Sequence, residues 1–481
     1  MHHEFVEHPT NGDDRRYDET FASYTKGLPH DDRGVVDCDA YDSLVAALES
    51  DCDYADIPLG GERKLVTPQA AESFNTIGYD PHDVYMSSPP RFDSAEVAAE
   101  MVELYWQALL RDVPFSAYDD DPLAEEAVAE LSSLEDFQGP TVHGSVTPQT
   151  LFRSNLEGAL EGPYISQFFY RDIVRGNVRN DQQFRVARPD VDFLTKYDQW
   201  LAVQNGTTDF TPEEYIDGER YIITGRDLAT WFHRDPGPQA FINAAHILLS
   251  EGVPLDPGNP YRDSAVQSTG IDYGRDDITS VVPAIAIEAL HAAWYHKWQV
   301  HRRPRPEEYG GRVHNHLTGR DTYPIHAQLL ESTAIEQTNA TFGSSLLPQA
   351  YPEGSPAHPS YPQRHATISA ACITVLKAYF DGSAPMPNPV RPTADGKELE
   401  PIDETVTVRG ELDKLFANHA IGRNWAGIHY RTDGRNAQAL GEQYAISWLE
   451  DRLSAMAGDA QFTLTTFDGE TIQVGPSVTG H

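Results

Sequence analysis

The chain has 481 residues, with 74 acidic against 36 Lys and Arg and a formal net charge of −38 at pH 7. A field of that sign repels nucleic acid and anionic membranes and excludes both as partners held by bulk charge. Three cysteines (Cys38, Cys52 and Cys372) show no CxxC spacing, so neither a disulfide framework nor a zinc site is expected.

The length allows a large buried core without metal or disulfide staples. Lys is confined to positions 26, 64, 196, 297, 377, 397 and 414. A carboxylate-rich, Lys-poor surface suits a cytoplasm with molar salt, where charge repulsion is screened within about 3 Å, and points to a halophilic archaeal origin. The amino terminus, MHHEFVEHPTNGDD, has no apolar stretch. No run is expected to reach the roughly 20 apolar residues of a spanning helix, so the expected location is cytoplasmic.

Residues 1–92 are rich in Asp, Pro and Gly, with a short periodic piece over 41–48. They are expected to form an extended arm that wraps a single helical domain over 93–481. Asp93 and Glu96 form a capping-box pattern, followed by Val97, Met101, Tyr105 and Leu109 at helical spacing. Thr147 as cap with Pro148 behind it predicts a helix over 147–160. Further helices are expected over 193–203 and over 228–250, the latter broken near Pro236 and Pro238. Over 282–300, the residues Ile287, Leu290, Trp294 and Trp298 share one stripe, expected to face the core, with Lys297 on the last turn.

Two more helices are expected over 322–337 and 366–380, and a last long one over 436–453. Residues 385–404 are Pro-rich and charged and predict a surface loop, and 461–474 alternate around Asp468-Gly469 as a β-hairpin. The expected architecture is all-α.

Three separated segments carry the chemistry. In KWQVHRRPRP, the Lys297 point charge and the planar Arg305 fork form a pair suited to a tetrahedral oxyanion. Pro306 disfavours helix at Arg305, which is expected to turn back toward Lys297. In HPSYPQRH, His365 stands at a helix start, where free N–H groups attract an anion and an imidazole works as acid or base. His358 precedes it on a Pro-bounded loop. In RNWAGIHYRTD, Asp433 follows His429 by four residues and can fix its tautomer, leaving the other ring nitrogen free. Arg423 opens the same segment. By contrast, His291, His296 and His301 recur every five residues and share no helix face as a metal pair would.

Together, KWQVHRRPRPEEYGG, SPAHPSYPQRHAT and GRNWAGIHYRTDG resemble the vanadium-dependent haloperoxidases, in particular the algal-bromoperoxidase-like branch, which shares its site with the type 2 acid phosphatases. Weaker echoes are ASYTKGLPHDD, EMVELYWQALLRDVPF and GPYISQFF, so the resemblance spans most of the chain. It implies two four-helix bundles packed around the anion site, and a homo-oligomer. His429 would be the axial ligand of vanadate, with Lys297, Arg305 and Arg423 on its oxygens. His365 would be the acid–base group, with His358 flanking the place where halide or peroxide is handled. Asp433 would support His429, and His296 would lie where the family tunes halide preference. The implied cofactor is vanadate, whose site phosphate also fits, and the implied substrates are hydrogen peroxide with bromide or iodide.

One departure stands out. The family has Pro-Ser-Gly-His where this chain has Pro362-Gln363-Arg364-His365. Gln363 would replace the Ser hydroxyl with an amide on the oxyanion, and Arg364 would add a fourth cation. The alternatives are therefore an acid phosphatase with His429 as nucleophile, or non-catalytic phosphate or vanadate binding.

Overall fold

The computed structural model describes residues 6–476, apart from 18 and 51; the first five residues of the expected arm lie outside this range. In chain order the helices are α1 (Asp13–Arg16), α2 (Cys38–Leu48), α3 (Ala95–Leu109), α4 (Pro122–Ser133), α5 (Tyr197–Gln204), α6 (Gly225–Trp231) and α7 (Gln239–Ser250). They continue with α8 (Arg275–Tyr295), α9 (Pro306–Leu317), α10 (Ala327–Leu330), α11 (Thr333–Phe342), α12 (Arg364–Tyr379), α13 (Val408–Trp425) and α14 (Arg431–Ala455).

The architecture is helical, as expected. Helix α12 is buried along its whole length and packs against α14, α8, α13 and α7. A second group gathers α4, α10 and α11 around α3, and α13 also touches α3. The α12–α14 approach depends on a missing side chain: a Cβ at Gly441 would lie 2.4 Å from the Thr367 carbonyl oxygen. One connected apolar core runs from Ala22 to Val474.

Several expectations are corrected. Ser94, not Asp93, caps α3, accepting from the Val97 N–H at 3.2 Å, while Asp93 accepts from Arg91. Residues 147–160 form two separate turns and no helix. There the Thr150 hydroxyl takes the Thr147 N–H, and Phe152 and Gly158 adopt φ of 56° and 73°. The helix expected from 193 begins at Tyr197 because Phe193 bridges to Gln349. The helix expected over 322–337 is two, with Ser332 capping the second. The 228–250 helix is split as expected, into α6 and α7.

The tail hairpin is present as Phe462–Thr465 paired with Thr471–Val474, and its first strand packs on α12. Residues 385–404 are more ordered than a loop: Val390–Pro392 pairs with Leu399–Pro401. The stretch Arg275–Leu317 is long and apolar enough to cross a membrane by length and composition, contrary to expectation. Half of its apolar window is buried inside the protein, where α8 is a core helix.

Within residues 6–92 most of the chain is irregular but fastened. Glu308 of α9 accepts the backbone N–H groups of Thr25 and Lys26 at 2.9 and 3.2 Å. The buried Lys26 ammonium pairs with Glu307.

Candidate active site

Helix α8 ends in a π-helical turn, His296–His301, and Arg302 then takes a left-handed conformation at φ 40°. π-Turns widen a helix and recur at functional sites. This turn buries Lys297 completely, and its ammonium donates to the carbonyls of Pro359 and Ser360 at 2.7 and 2.9 Å. Arg305 precedes Pro306 in an extended conformation, as predicted, and Glu308 holds it there by accepting the Arg305 N–H at 2.7 Å. The Arg305 guanidinium donates through Nη1 toward His429 Nε2 at 2.7 Å and through Nε to the His358 carbonyl at 2.9 Å. Its Nη2 lies 3.0 Å from His358 Nδ1.

His429 sits just before α14. Its Nδ1 lies 2.8 Å from Asp433 Oδ2, which also accepts the Tyr430 N–H at 3.1 Å and the Ser360 hydroxyl. A carboxylate on Nδ1 selects the tautomer protonated there, so Nε2 keeps its lone pair. Arg423, in the last turn of α13, donates through Nη1 to the Phe232 carbonyl at 2.6 Å. Its Nε is buried without a partner among the described residues. His365, the second residue of α12, places Nε2 3.0 Å from Asp235 Oδ1.

These groups border a cavity of about 490 Å³. His358, Arg364, His365, Arg423 and His429 reach its surface, as do Ile287, Leu290 and Trp294, the last with its ring 5.0 Å from that of His358. The α8 stripe expected to face the core is thus only partly core: Trp298 is fully buried, but Ile287 is 53% exposed.

The electrostatics describe a site short of negative charge. Burial, then the neighbouring Arg305 charge, holds the Lys297 ammonium well below its usual range. Burial lowers Arg305 to about 10. Burial, Arg305 and Lys297 together keep His429 neutral far below the normal imidazole value. Burial also brings His365 down to about 4 although Asp235 opposes it. Convergent buried cations, with an Arg423 Nε that has no partner among the described residues, would hold a multiply charged oxyanion, and His429 Nε2 would offer it a nitrogen ligand. On these grounds the residues fit vanadate, and phosphate by the same charges.

Two expected site residues are elsewhere. Gln363 does not reach the cradle. Its amide donates to the Ala420 carbonyl at 3.0 Å, and its Oε1 lies against α14, 2.7 Å from where a Cβ at Gly434 would be. The side chain thus lies in the contact between α13 and α14. His296 does not support the cradle either, because it points from the opposite side of the π-turn. Its Nε2 meets the Val84 carbonyl at 2.9 Å, and its ring stacks with His301 and meets His8.

Sequence reasoning missed Asp235, Arg303, Ser360 and Glu100. Arg303 donates to Asp433 Oδ1 at 2.8 Å and to Glu100 at 2.9 Å. Burial opposes its charge, but Glu100 and Asp433 outweigh that and raise its pKa. Arg303 and Ser360 lie inside the quoted motifs, one residue away in importance. Asp235 lies in the Pro-rich break between α6 and α7, and nothing in that sequence points to His365.

The stretch 280–456, which contains every cradle residue named above, matches the family described as the VCPO second helical-bundle domain. The chain is 34% identical to the vanadium-dependent bromoperoxidase of Corallina pilulifera, over 96% of this chain and 93% of that protein. It is also 34% identical to the vanadium-dependent bromoperoxidase of Ascophyllum nodosum, over 94% of this chain and 86% of that protein. In structure it resembles the second, homohexameric vanadate-dependent bromoperoxidase of Ascophyllum nodosum. The TM-score is 0.92 at 30% identity, covering 98% of this chain and 87% of that one. The chain belongs to the family of vanadium-dependent bromoperoxidases.

Proposed function

We propose that the protein is a vanadate-dependent haloperoxidase that oxidises bromide or iodide with hydrogen peroxide. Overall, one peroxide, one halide and one proton give hypohalous acid and water. The observation that carries this reading is the pairing of His429, its Nδ1 held by Asp433, with an unpaired Arg423 Nε inside a cluster of buried cations. Orthovanadate, when bound, supplies a Lewis acid that activates peroxide toward halide.

The chain's own residues do the rest. Lys297, Arg305 and Arg423 neutralise the oxyanion in a site preorganised before it arrives. His429 offers Nε2, and Asp433 keeps the proton on Nδ1. Asp235 engages Nε2 of His365. That leaves Nδ1 to exchange protons with substrate, and a value near 4 keeps the ring a neutral base at pH 7. His358, held by Arg305, flanks the halide and peroxide region.

The hexameric Ascophyllum relative supports a homo-oligomer, and the net charge of −38 supports a salt-rich cytoplasm as the working medium. The functional test is bromination of a cyclic diketone reporter in concentrated KCl, with and without orthovanadate. Turnover that requires vanadate and disappears in His429→Ala is expected. Steady hydrolysis of a phosphomonoester without bromination would instead assign the cradle to phosphatase chemistry.

A further inference from the structure

The cradle leaves one cavity cation unused. Arg364 is the first residue of α12, directly before His365, and its side chain lines the cavity. Lys297, Arg305 and Arg423 are tied to carbonyls, but the Arg364 guanidinium donates no hydrogen bond to any described residue. It is attracted to Asp235, whose Oδ1 already engages His365, and repelled by Arg423. The backbone is cut back to admit it: a Cβ at Gly237 would lie 3.1 Å from Arg364 Nη2.

Part of the cavity is unlike an ion site. Ile287, Leu290 and Trp294 form one apolar wall from α8, and Val66 and Ala70 border the same space. Halide and peroxide need neither that wall nor about 490 Å³. Such a volume, with an apolar wall and a charged rim that also holds Asp235 and Glu353, is what a small organic ligand uses. A planar guanidinium fork without a hydrogen-bond partner among the described residues matches a carboxylate in two-point contact.

We propose that this cavity binds the organic acceptor, and that the acceptor carries a carboxylate on a flat apolar body. The carboxylate meets Arg364 and the body lies along Leu290 and Trp294. The assignment rests on the haloperoxidase reading and adds the acceptor class to it. Hypohalous acid formed at the cradle then meets the acceptor in place: a carbon–halogen bond replaces a carbon–hydrogen bond, and the hydroxide and released proton leave as water.

Calorimetric titration of 4-hydroxybenzoate and its methyl ester tests this without requiring turnover. The cradle is first saturated with orthovanadate or, in a parallel series, with inorganic phosphate, so a failed bromination assay and a failed acceptor site are seen separately. The acid is expected to bind the native protein at least tenfold more tightly than the ester. Arg364→Gln is expected to abolish that preference while ester affinity stays within twofold. Gly237→Ala, which crowds the guanidinium, serves as a second variant and is expected to weaken the acid alone. Trp294→Ala is expected to weaken both ligands. Equal binding of acid and ester to the native protein would overturn the proposal, as would a preference that survives in both Arg364→Gln and Gly237→Ala. Loss of orthovanadate affinity in parallel with acid affinity would overturn it too, by making Arg364 a fourth cradle cation.

Discussion

Asp433 stands one helical turn after His429 and joins it to Arg303: Oδ2 lies 2.8 Å from His429 Nδ1, and Oδ1 lies 2.8 Å from Arg303 Nη1. One carboxylate therefore sets the tautomer of the histidine proposed to hold the cofactor and pairs with a buried guanidinium.

Asp433→Asn removes the charge but keeps the shape. Vanadate affinity is expected to fall about 10- to 100-fold, the usual cost of losing a supporting hydrogen bond to a ligating histidine. Stability is expected to fall by about 3 kcal/mol or more, because Arg303 loses one of two buried acidic partners. Vanadate titration and chemical denaturation check the two effects separately. Unchanged vanadate affinity would show that Asp433 serves the fold alone.

Gln363→Ala is expected to leave vanadate affinity within about twofold, since the amide faces Ala420 and not the cradle. Its loss frees one buried carbonyl, at about 1–2 kcal/mol of stability. A large fall in vanadate affinity with normal stability would return Gln363 to the oxyanion.

Much of this was legible in the sequence, unevenly. Val97, Met101 and Tyr105 announce α3 because large apolar residues recur there at helical spacing, although the helix is buried on every side from Val97 to Ala108. Helix α13, which delivers Arg423, is buried on nearly every side and carries Asn418, His419 and Asn424 inside, so it has no amphipathic period to read. Spacing placed Ile287, Leu290 and Trp294 on one face but not what that face meets, which is largely a cavity. The Arg305 turn and the His429–Asp433 pair followed from local rules at Pro306 and at one helical turn. Gln363 and Asp235 depend on packing between distant segments, and no local rule reaches them.

Stability is expected to fall in acid. His365, His296 and His419 are brought by burial to about 4, 3 and 3, against about 6.5 in an unfolded chain. The folded state therefore binds fewer protons, and the full stability is present above pH 6.5 and is lost as pH falls toward 4, by about 2 kcal/mol per histidine at pH 5. Burial raises Glu442 to about 7 and Asp413 to about 6, with the opposite sign: their penalty on folding shrinks as pH drops from 7. The two effects offset each other partly down to about pH 5, and the histidines dominate below, once the carboxylates also protonate in the unfolded chain. Melting temperatures at pH 8, 6.5, 5 and 4 should show a shallow decline, then a steep one; a monotonic rise on acidification would contradict the buried-imidazole account.

Gly441→Ala tests the closest helix contact. The new Cβ would lie 2.4 Å from the Thr367 carbonyl oxygen, and backbone cannot swing aside as a side chain does. A loss of about 1–3 kcal/mol is expected from overpacking, read by denaturation. Because Thr367 follows His365 by two residues, bromination is expected to fall more than global stability alone explains. A melting temperature equal to the native one would show that α12 and α14 slide freely.

Adjacent glutamates at the start of α9 look in different directions. Glu307 takes the ammonium of Lys26, while Glu308 takes backbone donors from both Arg305 and the chain at Thr25. The irregular first part of the chain and Arg305, the arginine proposed to hold the oxyanion, thus share one anchor of two residues. For anyone building chimaeras or trimmed versions of this enzyme, the leading segment and α9 form a single exchangeable unit; transplanting either without the other separates a cation from the anchor that aims it.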